Sequence, residues 1–301
     1  MIQFKTLSFD DYPLLKKYMT LYPQIACDYN LSNLFTWGEY YKIQYTIIRN
    51  RLFLFNPVYS LLFFPVGKYF SIDELCEVYH EFVAEYPEVQ LILIPKDFID
   101  LNPEIHNRCT LIPNLEWSDY VYSVDRLITM PGKKLAKKKN LISQFMRLYP
   151  DYQVERIHHH HKEDILAFCK KWQENKNQID IETEFLAIER TFDFWEEIES
   201  KGLMLKVNGE LAAFCIFSPQ NQTMLTEHFE KYNYEIKGAA QMIVYEMAKF
   251  ARENAYLFIN REQDMNLEGL RQAKKSYDPL FMVEFYRISN SMTNNTFILA
   301  Q

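Results

Sequence analysis

Leu203-Met204-Leu205-Lys206-Val207-Asn208-Gly209-Glu210-Leu211-Ala212-Ala213-Phe214-Cys215-Ile216-Phe217 sets the architecture of the second half of the chain. Two apolar runs flank Asn208-Gly209, a pair that tolerates the positive φ angles of a tight hairpin turn. A hairpin is predicted here, and Thr223 to Phe229 adds a third strand to a meander. The chain then passes through Glu235-Ile236-Lys237-Gly238-Ala239-Ala240 into a pattern that puts Ala240, Ile243, Met247 and Phe250 on one face. That spacing predicts a helix from Ala239 to Glu253. Tyr256 to Asn260 reads as a short strand, Leu267 to Lys275 as a helix and Phe281 to Ile288 as a last strand. Ahead of the hairpin, helices are expected over about 134–148, Lys162 to Trp172 and Ile181 to Ser200.

The first half follows the same order of meander, helix and apolar strand. Asp10 to Tyr22 has helical spacing. Tyr41 to Ile48, Leu52 to Phe55 and Ser60 to Val66 read as consecutive strands, with a turn at Asn50-Arg51. Ser71, with Glu74 three residues on, forms a capping box for a helix to about Tyr86. Val89 to Ile94 is a buried strand, and Thr110 to Tyr122 holds one or two more. The fold class is α/β (α+β). The boundary is drawn at 130/131, giving domains 1–130 and 131–301.

Composition narrows the function classes. Of 301 residues, 48% are apolar and 24% charged, which excludes global disorder. The net charge of −7 argues against a general nucleic-acid coat, so DNA is not an expected partner. Five scattered cysteines without a CxxC pair fit a reducing compartment, and the cytoplasm is expected. No apolar run approaches the ~20 residues of a membrane helix. Oligomeric state is not legible.

Three features carry chemistry. A glycine that opens a helix can bring backbone N–H groups close to a phosphate, and Lys237 adds charge beside Gly238 and Ala239. An ordinary strand-to-helix turn is the competing reading. Second, Asn260 to Pro279 is dense in paired charges at the end of a strand, and Arg271 and Lys274 share a helical face. A solvated, salt-bridged helix is the alternative. Third, on the helix over 134–148, Leu135, Ile142, Phe145, Met146 and Tyr149 fill an arc of roughly 120°, with Lys138 inside it and Lys139 at its edge. A lysine on a buried face snorkels or meets an anion. His158 to His161 stand on a strand-to-helix junction that does not converge them, and no metal site is expected there.

Asp119 to Leu127, then Gly132-Lys133-Lys134 and Lys138-Lys139-Asn140, resemble the start of the phosphatidylglycerol lysyltransferase C-terminal-like family. Glu230-Lys231, Lys237-Gly238-Ala239, and Asn260-Arg261-Glu262 through Asp264 to Tyr277 resemble its second half. The likeness runs from about Trp37 to Tyr286. That family is similar to tandem N-acyltransferase (GNAT) folds. The resemblance implies two GNAT-like domains, each a mostly antiparallel mixed sheet flanked by helices, with the active cleft in the second. It implies transfer of an acyl group from acyl-CoA or aminoacyl-tRNA to an amine or hydroxyl, with no tightly bound cofactor.

On this placement Glu230 or Asp264 is the base and Tyr277 the acid. Lys237, Gly238, Ala239, Arg271 and Lys274 hold the donor's phosphates, and Lys138 and Lys139 reach into the same cleft. The premise is an anion pocket at the head of the Ala239–Glu253 helix. Acyl-CoA-using members carry Arg/Gln-x-x-Gly-x-Gly/Ala in that loop. This chain has Glu235-x-x-Gly238-x-Ala240, and a carboxylate at the first position repels a pyrophosphate. The alternative function is a non-catalytic ligand-binding module that keeps the acyltransferase shape.

Overall fold

The computed structural model describes residues 2–174 and 181–288. Its backbone contacts divide the chain into two units. One runs to Ser118 and regains the stretch from Val283; the other is Asp119–Met282.

In the first unit a five-stranded sheet has the order Lys5–Thr6, Gln44–Ile48, Arg51–Asn56, Leu61–Phe63, Gln90–Ile92. Helix Ile72–Glu85 packs on it through Leu75, Val78, Tyr79 and Phe82. The Ser71–Glu74 capping box forms as expected. The hairpin turn falls one residue earlier than expected. Arg49 (φ 49°) and Asn50 (φ 61°) take the two left-handed positions, which leaves Arg51 paired with Ile48. A three-stranded sheet of Ile94–Pro95, Phe285–Ile288 and Leu111–Pro113 completes this unit.

The second unit begins with β1 (Tyr120–Ser123), α1 (Val124–Thr129), α2 (Gly132–Leu148), β2 (Gln153–Arg156), α3 (Lys162–Glu174) and α4 (Ile181–Asp193). The meander follows as β3 (Lys201–Val207), β4 (Glu210–Asn221) and β5 (Met224–Tyr232). Then come α5 (Ala239–Glu253), β6 (Phe258–Asn260), α6 (Glu268–Lys275) and β7 (Phe281–Met282). The sheet order is β7-β1-β6-β5-β4-β3-β2. Every pairing is antiparallel except β5 with β6. Asn208 (φ 53°) and Gly209 (φ 81°) make the predicted hairpin turn. Helices α2 and α5 cover one face of the sheet and bury Leu135, Phe145, Met242, Ile243 and Met247 against it.

Two boundaries move. Tyr120–Ser123 and Val124–Thr129, assigned to the first domain from the sequence, belong to the second, because β1 pairs with β6 and α1 packs on α5. The expected last strand, Phe281 to Ile288, is two. Phe281–Met282 pairs with β1, whereas Phe285–Ile288 pairs with Ile94–Pro95 and Leu111–Pro113 in the first unit. Helix α4 also ends at Asp193, short of Ser200. Among the described residues no helix is long and apolar enough to cross a membrane.

Candidate active site

Strand β5 carries a β-bulge that determines the site. Along a regular strand, side chains alternate between faces, so residues 227 and 230 would point apart. Here Glu230 pairs with Cys215 and Glu227 with Phe217, and His228 is the extra residue between them. Cys215 and Phe217 share one face, so Glu227 and Glu230 do too. The bulge is pinned by the His228 side chain, which is 1% exposed. One ring nitrogen lies 2.8 Å from Ser218 Oγ on β4, the other 2.9 Å from Glu262 Oε1 just past β6.

Beside the bulge, β5 and β6 part. They pair only over Met224–Thr226 and Phe258–Asn260, and β5 runs on past the end of β6. Arg261, the first residue after β6, fills the gap. Its Nε donates to Glu227 Oε2 and its terminal nitrogen to Glu230 Oε2. Its guanidinium stacks 5.0 Å from the Tyr277 ring centroid and 5.8 Å from that of Tyr122. Lys138, from α2, lies 3.9 Å from the Tyr277 centroid. The lysine on the apolar arc of α2 therefore meets an aromatic face and the field of Glu230.

The electrostatics favour proton exchange near neutrality. Burial pushes the Glu230 carboxyl up, Arg261 opposes, and Glu227 pushes it up again; the balance leaves it above the ordinary carboxylate range. Burial, then repulsion from Arg261, pulls the Lys138 ammonium down to about 8, with Glu230 opposing. Burial, reinforced by Glu230, raises the Tyr277 hydroxyl, which keeps its proton.

Other expected residues serve different ends. Asp264 is buried and accepts from Tyr120 Oη (2.6 Å), Arg271 Nε (2.8 Å) and the Asn266 backbone N–H (2.9 Å). Burial opposes ionisation, but these bonds prevail and hold its carboxyl down to about 2. A group so acidic is a poor base, so Asp264 is a latch of its loop. Arg271 is committed to Asp264 and to Asn266 Oδ1 at 2.7 Å. Lys274 is buried and donates to the Arg261 and Gln263 carbonyls, each at 2.5 Å. Both cations brace the loop that presents Arg261; Lys274 is buried there, while Arg271 keeps 30% of its side chain exposed.

The anion pocket expected at the head of α5 is not formed as supposed. Gly238 (φ 87°) is buried against α2, where a Cβ would come 2.7 Å from the Leu141 carbonyl oxygen and 3.0 Å from Phe145 Cβ. Ala239 is fully buried and its N–H donates to the Ile236 carbonyl. The open side of the glycine thus admits a helix, and the Ala239 N–H is already engaged. Lys237, Glu235 and Lys139 are exposed. The His158, His160 and His161 rings gather within 4.0–6.0 Å of one another on a 3-10 turn, where alternation along a strand predicts that they separate, and His161 Nδ1 accepts from the His158 backbone N–H.

Sequence reasoning missed Glu227, Arg261 and His228. The available signal was Glu227-His228-Phe229-Glu230, three polar residues in four, each able to titrate, inside the strand Met224–Tyr232.

Comparison with known proteins places this geometry. The chain superposes on a conserved protein of unknown function from Bacteroides thetaiotaomicron with TM-score 0.86 and 28% identity, covering 95% of this chain and 99% of that one. L-PGS from Bacillus licheniformis matches with TM-score 0.64 and 15% identity over 93% and 92% of the two chains. A GNAT-family acetyltransferase from Colwellia psychrerythraea shares the fold with TM-score 0.54 and 10% identity over 95% and 98%. No curated protein sequence matches. The family model for the phosphatidylglycerol lysyltransferase C-terminal region matches residues 19–289, nine-tenths of the chain, and the chain belongs to that family.

Proposed function

We propose that the protein is an aminoacyltransferase that moves an aminoacyl group from an aminoacyl-tRNA ester to an amine or hydroxyl acceptor. Family membership supports aminoacyl transfer in general. The observation that carries the reading is Glu230, a half-buried carboxyl with a raised pKa, held by Arg261 in the gap between β5 and β6 and facing Lys138 and Tyr277. The acceptor's N–H or O–H adds to the ester carbonyl. A C–N or C–O bond forms, the ester C–O bond breaks, and the nucleophile's proton passes through Glu230 to the leaving oxygen. Lys138 and the Tyr277 hydroxyl stabilise charge that develops on the carbonyl oxygen.

The aminoacyl ester is preferred to acyl-CoA because Gly238 packs against α2 and Glu235 stands in the loop. Donor phosphates then meet the exposed Lys133, Lys137 and Lys139 on α2 and Lys237 beside α5. Transfer from labelled aminoacyl-tRNA to small amines and alcohols tests this. Glu230→Gln should lower kcat by about 10²–10⁴ with the fold intact, and Lys138→Met should also slow transfer. Acetyl-CoA should not raise Tm, whereas aminoacyl-tRNA at about a hundred times its Kd should add about 2.7 kcal/mol of stability. Wild-type rates in Glu230→Gln would overturn the assignment. No transfer from any aminoacyl-tRNA would favour the non-catalytic module.

A further inference from the structure

The bulge places Glu227 in the cluster, yet the proposed chemistry gives it no part. Its Oε2 accepts from Arg261 Nε. Its Oε1 is sealed from solvent and has no hydrogen-bond partner among the described residues. A buried carboxylate oxygen without a donor is costly, and native structures rarely keep one. The nearest source of a donor is Glu230, whose carboxyl lies within hydrogen-bond reach of Glu227 and rides on the same guanidinium.

We infer that Glu227 and Glu230 share one proton at neutral pH, carried on Glu230 and donated to Glu227 Oε1. The orphan acceptor is then satisfied. The groups that face the pair are Arg261 after β6, Lys138 on α2, Tyr122 on β1, Tyr277 after α6, Cys215 on β4 and Tyr232 on β5 itself, while Lys231 acts from the opposite face, where it pairs with Glu184. Arg261 and Lys231 favour ionisation of Glu230, and Glu227 disfavours it. Glu227 is thus a positioning residue, acting through Glu230. Its use rests on the transferase reading: the resting site delivers the shared proton to the leaving oxygen and recovers one from the nucleophile, so the pair ends as it began. The shared proton itself is independent of that reading.

Infrared difference spectroscopy of the full chain tests it without an activity readout. Wild type at neutral pH should show the C=O stretch of an un-ionised carboxylic acid, and Glu230→Gln should lack it. The glutamine amide replaces the lost donor to Glu227 Oε1, so this variant should fold. In Glu227→Gln the neighbouring charge is gone, and the Glu230 titration midpoint should move to lower pH, to a proton concentration at least tenfold higher. Absence of the band from wild type, its persistence in Glu230→Gln, or an unmoved midpoint in Glu227→Gln would overturn the inference. A band that behaves as expected in a protein without transfer activity upholds the shared proton and removes the transferase reading. An active protein without the band does the reverse.

Discussion

Gly238→Ala separates two explanations of one glycine. If Gly238 exists for a phosphate, alanine should weaken polyphosphate binding and leave the fold alone. If it exists because α2 passes close by, alanine should strike at stability. The native φ of 87° lies in the left-handed region, where an L-residue costs about 1–2 kcal/mol. The new methyl would sit 2.7 Å from a backbone oxygen, Leu141 O, and 3.0 Å from Phe145 Cβ. Neither atom is the free end of a flexible chain, so α2 itself must shift, and overpacking of this kind costs about 1–3 kcal/mol. Alanine also restricts the unfolded chain, which offsets about 0.4–1 kcal/mol. The net is a loss of about 1–5 kcal/mol, or a fall in Tm of roughly 2–20 °C for a unit of this size. Thermal unfolding followed by circular dichroism reads it directly. A Tm within about 1 °C of wild type, with weaker binding of inorganic polyphosphate or CoA, would refute the packing account and restore the anion loop.

Asp264→Asn probes the latch. The Asp264 carboxyl is held near 2 against an ordinary 3.8, so its contribution is fully present above about pH 4 and is lost as pH falls towards 2; the shift corresponds to about 2 kcal/mol. The variant should be less stable by about that amount at neutral pH in urea unfolding, and the deficit should close between about pH 4 and 2; a deficit that ignores pH would count against the latch. His228→Ala removes both side-chain hydrogen bonds of the bulge and opens a cavity, for an expected loss of about 2–4 kcal/mol in chemical denaturation. Unchanged stability would mean that the bulge holds without its clamp.

Local chemistry made much of the fold readable. Asn208-Gly209 tolerates the φ angles its turn requires, Ser71 and Glu74 cap each other, and α5 spans Ala239–Glu253 as its apolar face demands. The failures are places where partner choice decides. Nothing within Phe281–Ile288 says that its two ends join different sheets, since both ends are equally suited to pairing. Arg271 and Lys274 do share a face of α6, as spacing requires. Spacing does not reveal that the loop from Arg261 to Asn266 folds back and consumes both cations through its own carbonyls and Asp264.

Glu230 was legible and Glu227 was not, for a reason that lies in strand periodicity. The rule that assigns faces to strand residues is parity, and parity puts 227 and 230 on opposite sides. A single inserted residue reverses the parity for everything beyond it, and the insertion is stabilised by contacts from β4 and from beyond β6, remote in sequence. The polar character of Glu227-His228-Phe229-Glu230 is therefore better read as the signature of the bulge than as three separate functional residues. His228 faces away to fasten the backbone, which frees both glutamates to meet one arginine. On this argument an intact His228 clamp is a precondition of the Glu227–Arg261–Glu230 bridge. Loss of the clamp should perturb Glu230 even though His228 touches neither glutamate carboxyl.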